Sequence, residues 1–121
     1  MGWHIGFHHD FALEFEGFSE VVQDELLAQL AVLEQFGPEL GRPQVDTLKG
    51  SKHANMKELR FRADGGVWRI AFAFDVQRAA ILLVGGDKSG TSEKRFYKGL
   101  ITQADVRFDE HLKTLKKEGK K

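Results

Sequence analysis

Three arginines crowd one short stretch, MKELRFRADGGVWRIAFAF at residues 56–74: Arg60, Arg62 and Arg69. The alternation of apolar and polar residues around Gly65-Gly66 reads as two strands joined by a tight turn. With Gly65-Gly66 as the two-residue turn, residues whose numbers sum to about 131 face each other. Leu59 then pairs with Phe72 and Phe61 with Ile70 on the core face. Arg60 pairs with Ala71 and Arg62 with Arg69 on the other face. A three-residue loop with a bulge is the alternative. A slip of one residue would turn one strand's apolar set to the wrong side. Like charges facing each other across strands cost about 0.2–1 kcal/mol. Glu58 shares the face and offsets part of that charge, while Ala71 and Ala73 leave a shallow floor. Forked guanidinium groups around such a floor suit a phosphate, so this face is expected to bind an anion.

Two more segments supply groups to the same region. Lys88 lies in the flexible GGDKSG stretch, where backbone can approach a ligand. SEKRFY opens a helix with Ser92 as its N-cap and brings Lys94, Arg95 and Tyr97. Tyr97 suits core packing beside Phe96 as well as it suits a functional hydroxyl, and Lys94 also reads as part of a solvated helix face. At the N-terminus His4, His8, His9 and Asp10 have the chemistry of metal ligands. Adjacent histidines rarely point at one ion, so the expectation is a polar strand end and no metal.

The elements that position these groups follow from periodicity. GWHIGF (2–7) reads as a first strand. Phe11, Phe15 and Phe18 mark one face of a short helix over 8–18. Ser19 caps a second helix with Val22, Leu26, Leu30, Leu33 and Phe36 on its buried stripe, and Gly37-Pro38 ends it. Residues 38–55 read as a long loop. Strands are expected at 56–63, 67–75 and 79–85, the last apolar on both faces and therefore interior. Phe96, Leu100, Ala104, Phe108, Leu112 and Leu115 mark a long amphipathic closing helix, and 113–121 is expected to be a flexible Lys-rich end. The sum is one α+β domain over 1–121, with an N-terminal strand, a two-helix hairpin, a three-strand meander and a C-terminal helix.

The chain of 121 residues is large enough to bury a core without staples. It has no cysteine, which excludes disulfides and thiolate chemistry. No apolar run reaches membrane-span length, and MGWHIGFHHDF lacks the regions of a signal peptide, so a cytoplasmic protein is expected. The net charge of zero hides a division. Residues 1–46 carry one basic side chain and nine acidic ones, and the remainder seventeen basic and nine acidic, giving −8 and +8. A basic half coupled to an acidic one suggests a polyanion on one surface and another surface turned away from it.

The ordered set LKGS, NMKELRFRADGGVWRIAFAFD, AAILLVGGDK and EKRFYKGLITQAD resembles the RelE/ParE toxin superfamily in its HigB-like branch, from Trp3 to Leu115. The resemblance implies a twisted antiparallel sheet with a helical hairpin on one face and a C-terminal helix. It implies the toxin of a two-gene module held by a cognate antitoxin, expected to be a helix-turn-helix protein. Many members are metal-independent, ribosome-dependent endoribonucleases, in which the 2′-hydroxyl attacks the neighbouring phosphate. By position the resemblance marks Arg60, Arg62, Arg69, Lys88 and, loosely, Tyr97 as catalytic. Lys49, Lys52, Lys57, Lys94 and Arg95 are the expected contacts to mRNA on the ribosome. GGDK lacks the histidine that some relatives place there, and Glu58 stands where several carry a basic residue. The alternative is a ParE-like inhibitor of a protein such as DNA gyrase, or a relative that only binds antitoxin.

RNA transesterification needs a base on the 2′-hydroxyl, an acid on the leaving oxygen and stabilisation of the phosphorane. The arginines supply the last and are poor bases. Lys88 is the expected base, because a cationic cluster lowers the pKa of a lysine. Lys57 has the wrong strand parity. His53 can reach over from the long loop, and His111 lies too far along the last helix.

Overall fold

A computed structural model describes residues 2–88 and 90–118. The order of elements is β1 (His4–Phe7), α1 (His9–Glu16), α2 (Glu20–Phe36), β2 (Val45–Thr47), β3 (Met56–Ala63), β4 (Gly66–Phe74), β5 (Ala79–Asp87) and α3 (Glu93–Glu118). The caps expected at α2 are present. The Ser19 hydroxyl accepts the Val22 N–H, and Gly37 turns the chain with φ 57° while its N–H bonds to Leu33 O. A side chain at Gly37 would collide with the Trp3 indole, so that C-cap also lets β1 pack against α2.

The strands form one five-stranded sheet in the order β1-β5-β4-β3-β2. The sheet is mixed, not antiparallel as expected, because β1 runs parallel to β5. The α1–α2 pair carries the chain from β1 to β2 at the opposite edge, and the chain returns through β3 and β4 to β5 beside β1. Within the expected long loop, Val45–Thr47 forms the edge strand β2 against β3. Three residues bounded by a proline-containing turn carry too little periodicity to read as a strand.

Helices cover both faces. On one, Phe11, Val22, Leu26 and Leu33 pack on Leu59, Phe61, Ile70 and Phe72. On the other, Leu100, Ala104 and Phe108 of α3 pack on Met56, Ala71, Ala73 and Leu83. Ala71 and Ala73 are therefore no open floor for an anion; both are fully buried. Their small size lets α3 lie close to the sheet, and the large side chains of that layer each stabilise the fold by about 1.5–3 kcal/mol. The segment from 113, expected to be a flexible end, is helical through Glu118; residues 119–121 lie outside the described residues.

Polar contacts fix the distal half of α3. Arg107 forks onto Glu14 of α1 at 2.8 and 2.6 Å and donates to Leu83 O at 2.8 Å. His8 accepts the Asp10 N–H through Nδ1 at 3.1 Å, which leaves Nε2–H to donate to Glu110 at 2.7 Å. His53 and Lys52 both pair with Asp109, and His111 pairs with Asp75.

Candidate active site

The hairpin turns at Asp64-Gly65, one residue earlier than expected. Both sit at positive φ, 53° and 78°, the requirement of the tight turn that matches strand twist, and Asp tolerates it beside an obligate Gly. Gly66 joins β4. The facing residues consequently sum to 129: Arg60 faces Arg69, Arg62 faces Val67, and Glu58 faces Ala71. Parity is unchanged, so the arginines share a face, but the directly opposed pair is Arg60–Arg69 and not Arg62–Arg69.

Across the sheet, Arg69 also faces Gly86 of β5. Lys88 follows β5 by one residue and is half-buried. Arg60 and Arg62 are exposed. Arg69 is only 3% exposed and Glu58 6%, because the first turns of α3 lie over them. The Ser92 hydroxyl accepts the Arg95 N–H there, as expected of an N-cap. Tyr97 then reaches between the two buried charges. Its hydroxyl donates to Glu58 Oε1 at 2.7 Å and accepts from Arg69 Nε at 2.7 Å. The guanidinium also lies against the Phe96 and Tyr97 rings, 5.7 and 5.6 Å from their centroids. Burial, followed by the hydrogen bond to Glu58, pushes the Tyr97 hydroxyl up to about 12.

The structure thus joins Arg69 and Tyr97 with Glu58 at the centre of the hydrogen bonds and sets Arg60 and Arg62 on the same sheet face. Lys94 and Arg95 are exposed on the first turn of α3, beside the same region. Lys57 faces the other side of the sheet and donates to Thr47 at 3.0 Å. Lys49 is exposed. Lys52 is bound to Asp109, which raises the lysine pKa and lowers that of the aspartate. His53 shares Asp109 at 2.9 Å and packs edge-on to Phe108. Twelve residues of helix, about 18 Å, separate that anchor from Tyr97, so His53 does not reach over the arginines.

His8, His9 and Asp10 do bring one ligand atom each within 4.8 Å of one another, closer than adjacent histidines suggested. Both ring nitrogens of His8 are engaged within the protein, however. Sequence reasoning missed two ties, Tyr97 to Glu58 and Arg107 to Glu14. The second has a visible trace, since Arg107 falls on the apolar stripe of α3 between Ala104 and Phe108.

Comparison with known proteins gives the class. The model of the family described as phage-derived protein Gp49-like matches residues 13–109, and the chain belongs to that family. It lies in the HigB/RelE type of the superfamily whose motifs it carries. Two Mycobacterium tuberculosis toxin candidates are similar to it. HigB2 is 45% identical over 97 residues, 79% of this chain and 48% of that protein, so the chain spans about half its length. HigB3 is 45% identical over 102 residues, 84% of this chain and 82% of that protein. Among solved structures, a double arginine-to-alanine mutant of the Escherichia coli toxin RelE in the free state superposes with a TM-score of 0.60. It is 13% identical, with 84% of this chain and 96% of that one covered, a likeness of fold. Among the described residues no helix is long and apolar enough to cross a membrane.

Proposed function

We propose that this chain is the toxin of a toxin–antitoxin module and that it cleaves mRNA on the ribosome by metal-independent transesterification. The observation that carries the reading is the pair of exposed guanidinium groups, Arg60 and Arg62, standing beside the sealed Arg69 on one sheet face. Its family membership and the toxin candidates that resemble it support the same reading. Arg60 and Arg62 hold the scissile phosphate and stabilise the charge that develops on it. Arg69 stiffens the site from beneath. Lys88, one residue past the end of β5, exchanges a proton with a reacting oxygen. Lys94 and Arg95 meet the RNA backbone. In the resting cell a cognate antitoxin, a helix-turn-helix protein, covers this basic face.

Induction of the chain in a bacterial host, followed by mapping of transcript ends, tests the reading. Growth arrest with cut messages and intact DNA supports it. DNA damage with uncut messages would favour a gyrase-directed inhibitor, and normal growth a relative that only binds antitoxin.

A further inference from the structure

Beside the arginine face lies a groove of about 440 Å³ that the proposed chemistry leaves unused. β1 pairs with β5 only as far as Leu82. The groove opens past that point, between Gly85 and the first half of α3, and Phe96, Gly99, Gln103, Arg107 and Glu14 line it. Its size falls within the roughly 300–1,000 Å³ of small-ligand sites. Phe96 joins it to the arginines: the half-buried ring borders the groove and lies 5.7 Å from the Arg69 guanidinium.

Two observations point to a flat, uncharged ligand. The first is Gly99. After proline, glycine is the poorest residue for a helix interior, yet Gly99 lies inside α3 and is exposed. A methyl group there would meet no atom within 4 Å. Packing does not call for the glycine; its effect is to keep one side of the groove open. The second is the balance of charge. Both Glu14 oxygens accept from Arg107, at 2.8 and 2.6 Å, and the carboxylate side chain is still 42% exposed. The paired charges cancel, so the groove does not draw in a phosphate. The carboxylate accepts hydrogen bonds and donates none, while Gln103, exposed on α3, can do both.

We propose that this groove receives an unstacked guanine from the nucleotide adjoining the scissile phosphate, an inference that rests on the nuclease reading. The base stacks on Phe96, as bases of single-stranded RNA do on aromatic side chains. Guanine presents two neighbouring donors, N1–H and the exocyclic amine, to Glu14, and its O6 accepts from the Gln103 amide. Each of the other three bases presents one donor group on that edge beside an acceptor, which the carboxylate repels. Arg107 is a positioning residue: it fixes the carboxylate from behind and does not itself touch the base. The tie between α3 and α1 thereby serves codon choice as well as the fold.

The test is cleavage of a message with a randomised A-site codon on bacterial 70S ribosomes by the wild type, Gly99→Leu and Gln103→Ala, with melting temperatures measured in parallel. Gly99→Leu puts a side chain into the groove and improves the helix, so it should melt no lower than wild type. The wild type is expected to favour guanine by about tenfold or more at one position beside the cut. In both variants that preference should fall below about threefold, while cutting at the other codons stays within about threefold of wild type. A preference unchanged in Gly99→Leu, a preference for another base, an equal loss at every codon, or a wild type that cuts all codons alike would overturn the groove and leave the nuclease reading standing. Weaker binding of the cognate antitoxin by Gly99→Leu with an unchanged codon profile would assign the groove to the antitoxin instead. If the wild type cuts nothing, the nuclease reading falls, and photocrosslinking decides the groove alone. Ribosome-bound RNA carrying 6-thioguanosine should then crosslink within residues 96–107, and a crosslink confined to other segments, or none, would overturn the proposal.

Discussion

Arg60 and Arg69 face each other directly across β3 and β4, yet Arg60 projects into solvent while Arg69 is 3% exposed beneath Phe96 and Tyr97. Two like charges at one register position therefore have different neighbours and different work. The repulsion between them is relieved by water on one side and by the Tyr97–Glu58 pair on the other.

Their alanine variants should differ accordingly. Arg60→Ala is expected to leave stability within about 0.5 kcal/mol of wild type. Arg69→Ala strips Tyr97 of its donor and removes a guanidinium packed on two rings, and should cost about 1–3 kcal/mol. Thermal unfolding of the two purified variants checks this. A melting temperature for Arg69→Ala equal to that of wild type would mean that the buried contacts contribute nothing.

Tyr97 is the single tyrosine of the chain, so its ionisation can be followed by absorbance without interference from another phenol. It is expected to titrate near 12 instead of 10. Glu58→Gln removes the neighbouring negative charge and should bring the value down. Because the folded value lies above the unfolded one, the associated stability is complete below pH 10 and is lost as the pH rises through about 12. A midpoint near 10 in the folded protein would contradict the hydroxyl's place between Glu58 and Arg69.

Binding to the ribosome should weaken with salt, since phosphate contacts release counterions. Arg60→Ala and Arg62→Ala should each reduce the slope of log affinity against log salt by roughly 0.7, the single-strand value per contact. A slope unchanged in both variants would place the RNA elsewhere.

Arg107 ties α3 to α1 and to β5 at once. Arg107→Ala leaves Glu14 and a buried carbonyl without their partner. Breaking a buried pair costs about 3–5 kcal/mol, and the solvent exposure of Glu14 holds the expected loss to the lower end. Denaturant unfolding measures it directly, and a loss below about 1 kcal/mol would make the pair a surface contact in effect.

The elements of this fold were readable because each has a strong local pattern. The apolar stripe of α2 between Ser19 and Gly37, the alternation of β3 and β4, and the unbroken apolar run of β5 each specify one conformation. Strand direction is a different kind of fact: nothing within His4–Phe7 states that it pairs parallel to β5. The hairpin turn was misplaced by one residue because Gly65-Gly66 and Asp64-Gly65 both suit a tight turn, and only the positive φ at Asp64 decides. The grouping of the arginines survived this because moving the turn by one residue shifts the facing partners by two and preserves parity. The burial of Arg69 was beyond reach. It depends on α3 crossing the sheet so that Tyr97 meets Glu58, 39 positions away in the chain.

The central claim is that the exposed arginines of this face serve cleavage of ribosome-bound mRNA. Its most direct measurement is incubation of the purified chain with a 5′-labelled message, free and on 70S ribosomes, beside an Arg60→Ala, Arg62→Ala double variant. The expected result is a fragment ending in a 2′,3′-cyclic phosphate that forms only on the ribosome and is lost in the variant. An intact message with the wild type, or undiminished cleavage by the double variant, would contradict the claim.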